Sequence, residues 1–388
     1  MTLGLALLPI AMLLPIPRIS SLADNKKTDF PVKEVTVGDL ELEIVVNSET
    51  FSQATAINSK GSIVGIREVT EAATGITAQK SFYFGVHGHL DMPVPDSFTN
   101  VEATGISDSE WVIGYATRPI GHPDGNLNGV VWSPETGAVV ILPLPEGDRA
   151  CHAQSVSADG KNVAGYSTGP SRLRPVLWTY EDDAGKWSVT VLPTLHEHNP
   201  YLMSGRLQIT PDGTFVAGCC TEEFLANGVI DSSLFVWERT DKGDWDRRLL
   251  SKEQFYIYGI NNKRELVGLI RSPLGKSLPV YFDEKGTMTT LDLLEGDVGG
   301  EARGINDQSV IVGFSDDPPG PDGGPEPVMW TVDGKVKRIV LGDSPYGVIH
   351  GINATGQLAG MATLIEEGAE GETGEVVERA LAFRSKPK

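Results

Sequence analysis

The sequence predicts an all-β protein, a seven-bladed β-propeller with four antiparallel strands per blade, on three observations. A short segment recurs seven times, an aromatic follows each copy at a fixed place, and a strand near the N-terminus matches the strand that the last repeat lacks. An internal period of this size marks a propeller or an array, and it outranks local propensity as a guide to architecture.

The recurring segment is Ile57–Gly65 (INSKGSIVG), followed by Ile106–Gly114, Val156–Gly165, Ile209–Gly218, Ile260–Gly268, Ile305–Gly313 and Ile352–Gly360. First residues stand 49, 50, 53, 51, 45 and 47 positions apart, with no linker between copies, so the 388 residues hold one closed repeat domain. Within each copy the first strand ends at the Ile column. A four-residue turn follows, starting at Asn58, Ser107, Ser157, Thr210, Asn261, Asn306 or Asn353, residues whose side chains bond backbone amides two positions on. The second strand carries a glycine in every copy, with apolar or sulfur residues on both sides, so both of its faces are expected to be buried. That glycine suits a bulge or a close backbone approach.

The third strand ends at Phe84, Trp132, Trp178, Trp237, Phe282, Trp330 or Phe383, read as packing anchors between sheets. After Phe383 only RSKPK remains, too little for a fourth strand, whereas GDLELEIVV (Gly38–Val46) resembles the fourth strand GKVKRIVL (Gly334–Leu341). The N-terminal strand is therefore expected to complete the last blade and shut the ring, which removes an exposed sheet edge. Val32–Gly38 is expected as an extra outer strand or an extended lead-in.

These residues resemble the bacterial extracellular repeats of the HAF family. The family's A-x-x-I-N, V-G and A-F-x-W segments correspond to Ala302–Asn306, Val312–Gly313 and Val328–Trp330, over about residues 40 to 384. The His-Ala-Phe triplet itself is absent, and Ala380–Phe383 (ALAF) comes nearest. The resemblance implies export and β-rich repeats, and carries no catalytic residues with it.

Thr2–Pro17 is uncharged and mostly apolar but short and broken by Pro9, Pro15 and Pro17, so it predicts a signal peptide rather than a membrane anchor. Ser21 and Ala23 stand where a signal peptidase reads, which divides the chain into a signal peptide (1–23) with no basic n-region, a lead-in (24–39) and the propeller (40–388). A secreted or cell-envelope monomer is expected. The net charge of −20 argues against nucleic acid, whose backbone calls for a basic patch. Cys151, Cys219 and Cys220 allow at most one disulfide, from Cys151 to one of the other two.

Strand alternation puts the 1–2 and 3–4 turns on one face and the 2–3 and 4–1 connections on the other. The 2–3 connections read as long irregular loops (67–80, 116–128, 221–232, 315–326 and 362–378), so that face is expected to bind a protein or glycan. Two residues before the Ile column stand Thr55, Thr104, Gln154, Leu207, Tyr258, Arg303 and His350, next to mostly small residues. All of these except Leu207 are the candidate binding residues. Tyr258, Arg303 and His350, consecutive around one side, are the candidates for chemistry on an anionic substrate. No cofactor is required, but carboxylates and histidines of the 4–1 connections could hold Ca²⁺ or another divalent metal, with His152, His196, His198, Asp148, Asp297 and Asp343 as candidate ligands. No nucleophile elbow, phosphate loop or zinc-protease motif is present. The expected function is therefore a non-catalytic binding scaffold, with a lyase or hydrolase of acidic polysaccharide or a small ester as the alternative.

Overall fold

A computed structural model of the protein describes residues 32–37, 40–45, 51–70, 74–122, 126–169, 172–194, 206–224, 230–252, 255–272, 275–318, 323–341, 346–367 and 376–387. The expected signal peptide, the segment 24–31, His196, His198 and Asp343 lie outside the described residues. The strands form seven antiparallel sheets, the blades of a propeller. Blade 1 runs Ser52–Ile57, Ile63–Thr70, Thr77–Gly85 and Gly88–Asp91, innermost to outermost, and the next five blades repeat the order.

Blade 7 contains Gly347–Ile352, Leu358–Glu367 and Val376–Ser385, and its fourth strand is Leu40–Val45 from the other end of the chain. The register sets Leu42 against Ser385 and Ile44 against Phe383. Val32–Val37 adds a fifth, outer strand, so part of the expected lead-in belongs to this sheet. The closed ring is then pinned to blade 1: Ser52 Oγ accepts from Ala382 N at 2.8 Å, and Arg384 donates to Gly61 O at 2.8 Å and to Glu43 at 2.6 Å.

The turn asparagines do more than shape their own turns. Asn58 Oδ1 accepts from the amides of Lys60 and Ser62 (3.1 and 2.9 Å), while its Nδ2 donates to Ser107 O of the next blade at 2.9 Å. The same side-chain amide bridge runs from Asn261 to Asn306 O, from Asn306 to Asn353 O, and across the closure from Asn353 to Asn58 O. Serine and threonine at this place in blades 2 to 4 have no amide to donate; in blades 2 and 3 the backbone bridges instead, Ser109 N to Ala158 O and Ala158 N to Pro211 O, and in blade 4 Asp212 N donates to Asn262 Oδ1 of the next blade. The fourth turn residue is left-handed in all seven blades: Gly61, Gly160, Gly213 and Gly356 adopt φ of 73–82°, and Glu110, Arg264 and Ser309 adopt 61–70°.

The aromatic column is buried throughout, between 0 and 4% exposed, so it packs blades and offers no stacking platform. Trp178, Trp237 and Trp330 also donate from Nε1 to carbonyls at the end of the preceding blade, Pro143, Pro193 and Asp292, at 2.7–2.8 Å. Seven apolar clusters alternate with the sheets around the ring.

The second-strand glycine has a specific cause. In blades 1, 2, 3, 5, 6 and 7 the innermost strand has a register shift, an extra residue that its partner strand does not match. A Cβ on Gly65, Gly114, Gly165, Gly268, Gly313 or Gly360 would stand 1.9–2.0 Å from the carbonyl oxygen two residues before that extra residue. Only a residue without a Cβ lets the bulged strand lie this close. In blade 4 the described part of the innermost strand is Gln208–Ile209, which pairs without a register shift, and the nearest described atom to a Cβ on Gly218 is Leu207 Cγ at 3.1 Å.

Of the five segments expected as long irregular loops, those of blades 1, 4 and 7 are overturned, because strands two and three continue there as paired hairpins, and blade 3 carries such a hairpin as well. Pairing extends to Thr70 and Thr77 in blade 1, Gly169 and Arg172 in blade 3, Phe224 and Ile230 in blade 4, and Glu367 and Val376 in blade 7. Backbone pairing satisfies groups that an irregular loop would leave to water.

The glycine account predicts that Gly313→Ala destabilises by roughly 2–4 kcal/mol, whereas Gly218→Ala costs less than about 1 kcal/mol. Urea unfolding of the two variants measures the difference, and equal losses would remove the bulge as the reason for the glycine.

Candidate functional site

The extra residues of the six bulges are Thr55, Thr104, Gln154, Tyr258, Arg303 and His350, all six of the predicted binding residues. They line an axial cavity of about 200 Å³. In blade 4, where the described strand pairs without a register shift, Leu207 turns fully into the packing between blades and Arg206 takes its place at the cavity. The cavity wall continues to the Ile column and to Pro211 in a first turn. The pocket therefore lies toward the short-turn end of the channel, not toward the face of the 2–3 connections.

The ring divides into two halves. Thr55 and Thr104 donate to Ala103 O (3.4 Å) and Ala153 O (2.9 Å) of the next blade, and Gln154 Oε1 accepts from Leu207 N at 2.8 Å. These three staple blades together. In the other half, the Arg303 guanidinium lies over the Tyr258 ring at 4.3 Å and pairs with Glu301. His350 Nε2 stands 2.5 Å from Gln53 Nε2, a contact in which the amide donates to an unprotonated ring nitrogen. Arg206 makes no hydrogen bond or ion pair with any described residue.

Burial, and then the nearby charges of Arg303 and Arg206, push the His350 pKa down to about 3. Burial and Arg206 push His152 down to about 4. Tyr258 is raised by burial and by Glu301, with Arg303, Arg206 and Arg271 opposing. Arg206 is lowered by desolvation within the channel and then by the like charge of Arg303, with Tyr258, Glu102 and Tyr115 opposing. At neutral pH the channel thus holds neutral imidazoles and phenols around charged guanidinium groups.

Of the predicted metal ligands within the described residues, His152 and Asp148 have other partners. His152 is sandwiched between Tyr115 (centroids 4.3 Å apart) and Tyr166 (5.3 Å), and Tyr115 OH donates to Glu102 at 2.5 Å. Asp148 pairs with Arg174 at 2.7 Å and accepts from Ser167. Burial and neighbouring Asp317 raise the Asp297 pKa. Among the described residues no three His, Cys, Asp or Glu side chains gather as a metal site. Cys151, Cys219 and Cys220 are buried and form no disulfide, so the inter-blade bridge is not made. Burial raises the Cys151 and Cys219 thiols to about 11 and about 12.

Arg206 escaped the sequence reading because repeat alignment assigns its ring position to Leu207. One signal pointed to the offset: the residue after the ring is Ala56, Gly105, Ser155, Gly259, Gly304 or Gly351 elsewhere, and the bulky Gln208 in blade 4. Glu301, two residues before Arg303, lies within the strand Gly299–Ile305 rather than in a 4–1 connection.

Fold and site together define a seven-bladed β-propeller with a polar axial cavity. Comparison with solved structures agrees. The chain is similar to the β-propeller domain of the Trilobed protease from Pyrococcus furiosus, with TM-score 0.54, 11% identity, and coverage of 88% of this chain and 96% of that one. That domain is described as having an open velcro topology, whereas here Leu40–Val45 is paired into the last blade. The chain is also similar to a structure from a study of two prolyl endopeptidases (TM-score 0.54, 12% identity) and to Pyrococcus horikoshii acylaminoacyl peptidase (0.50, 11%). It aligns through 85% and 84% of its own length with half of each of those chains. At such identities the likeness is one of fold. No family model and no curated protein sequence matches the chain.

The shift of His350 sets a sign for acid stability. Unfolded histidine takes up a proton near pH 6.5, but the folded ring does so only near pH 3, so the unfolded chain binds more protons between these values. Stability is complete above that window and falls as pH drops through it. His350→Gln is expected to flatten the loss between pH 7 and 4 by about 1–3 kcal/mol, measured as urea midpoints across pH.

Proposed function

We propose that this chain is an exported, monomeric, non-catalytic propeller that binds a protein or glycan ligand through the face bearing the 2–3 hairpins. The observation that carries the reading is the extension of strands two and three into paired hairpin arms in four blades. Blades 7 and 1 are neighbours and so are blades 3 and 4, and each arm lies on the face shared with the 4–1 connections. Rigid arms hold a surface without the ordering cost that an irregular loop meets on binding. The blade 1 arm also presents exposed Ile76 near its tip.

A catalytic role has less support. A general base works best with a pKa near the working pH, and His350 and His152 sit near 3 and 4. One observation favours the alternative of a lyase or hydrolase for acidic polysaccharide or a small ester: Tyr258, Arg303 and His350 do stand together on the cavity wall. Export rests on the apolar stretch Thr2–Pro17 and the small residues Ser21 and Ala23, in keeping with the HAF-repeat resemblance. N-terminal sequencing of the secreted protein is expected to begin at Asp24, and recovery of an uncleaved cytoplasmic chain would reject export.

The binding reading is tested on glycan and peptide arrays with two proteins, the intact chain and a variant in which 69–78 is replaced by an Asn-Gly turn. The variant is expected to lose array binding at least about tenfold while melting within about 3 °C of the parent. Undiminished binding, or silence of the intact chain on both arrays, defeats the proposal. Turnover of polyuronates or esters that disappears in Arg303→Gln would establish the alternative.

A further inference from the structure

We propose that the axial cavity is a binding site for a small hydroxylated monocarboxylate of the sugar-acid class, gripped by Arg206 and Arg303. This site is separate from the hairpin face, because its walls belong to the innermost strands and the short-turn end.

One cationic side chain on the cavity wall makes no ion pair with any described residue. The chain carries 52 acidic residues against 32 basic ones, so a carboxylate partner is plentiful. Arg303 has one in Glu301. Arg206 makes no ion pair with any described residue, although it lines the same cavity, where Arg303 opposes its charge and Glu102 favours it. Arg206 is exposed to the cavity and Arg303 partly buried on the same wall, and an anion held beside two like charges lowers their mutual repulsion. Arg303 Nε, buried and without a hydrogen-bond partner, adds a further unsatisfied donor at this place.

Glu301 pairs with Arg303, which leaves no more than the single charge of Arg206 for a ligand. That favours a monoanion over a phosphate dianion, and the planar fork of a guanidinium matches a carboxylate. The wall suggests the rest of the ligand. Beside the bulge residues the side chains are small at Ala56, Gly105, Ser155, Gly259, Gly304 and Gly351, which leaves backbone groups at the surface. The extra residue of a bulge is also unpaired in its ladder. Backbone amides and carbonyls, with the Tyr258 hydroxyl and the Gln208 amide, are partners for ligand hydroxyls. The volume of about 200 Å³ falls below the range of about 300–1,000 Å³ typical of drug-sized sites, so the ligand is small.

The test is calorimetric titration of the full chain with D-glucuronate, D-glucose and inorganic phosphate, together with melting curves of the ligand-free proteins. Glucuronate is expected to bind one per chain, with glucose and phosphate each at least about tenfold weaker. Arg206→Gln is expected to weaken glucuronate by about ten- to a hundredfold and to leave the ligand-free melting temperature unchanged or higher, because it removes an unpaired charge. Arg206→Lys, which keeps the charge and loses the fork, should recover only part of the affinity. Absence of glucuronate binding at millimolar concentration overturns the proposal. So does phosphate binding as tightly as glucuronate, or a lower ligand-free melting temperature in Arg206→Gln, which would make the arginine structural. The variant lacking the blade 1 arm should bind glucuronate as the parent does, so failure of the hairpin-face reading and failure of this one are read separately.

Discussion

The contact on which the structure depends is the one between the second-strand glycine and the carbonyl of the neighbouring bulged strand. A Cβ at Gly114, Gly165 or Gly313 would stand 2.0 Å from the oxygen of Glu102, His152 or Glu301. Its absence lets the innermost strand carry one residue more than its partner, and that residue is the one delivered to the axis. Blade 4 shows the converse. Its described innermost strand pairs without a register shift, Leu207 lies in the core and Arg206 reaches the cavity from one residue earlier. The repeat motif and the composition of the channel are thus one geometric device.

Cohesion between blades comes from groups that each have two tasks. A turn asparagine closes its own turn with Oδ1 and reaches the next blade with Nδ2, and a column tryptophan fills the space between sheets while its Nε1 bonds the preceding blade. Each such hydrogen bond adds on the order of 1 kcal/mol net, far less than the burial of the ring that carries it. Their value lies in direction, since apolar packing alone does not set the rotation of one blade against the next. Closure uses the same parts: Asn353 to Asn58 across the seam, with Leu40–Val45 supplying the missing strand.

The channel is electrostatically uneven. Thr55, Thr104 and Gln154 are satisfied by neighbouring backbones, whereas Arg206 and Arg303 bring two like charges into a cavity whose histidines are held neutral. The hairpin face is of another kind, made of paired strands that extend the blades. The two ends of the molecule therefore offer different chemistry, a small polar cavity at one and a broad edge of strand pairs at the other.

The blade count, the closing strand and six of the cavity residues were legible in the sequence because each depends on strictly local pattern. A period near fifty residues, a strand missing at one end and present at the other, and a residue at a fixed distance from the Ile column all survive without knowledge of contacts. The carboxylates and histidines of the 4–1 connections were not legible in the same way, since pairing of Asp148 with Arg174 or stacking of His152 on Tyr115 and Tyr166 joins different strands. Nor was the turning of the 2–3 segments into paired arms, which depends on cross-strand register. The sequence by itself determined the seven blades and their closure, through periodic burial and turn chemistry. Only the tertiary structure decided that Arg206 replaces Leu207 and that the cavity lies toward the short turns, because a one-residue change of strand register redirects a side chain without altering the pattern that predicts the strand.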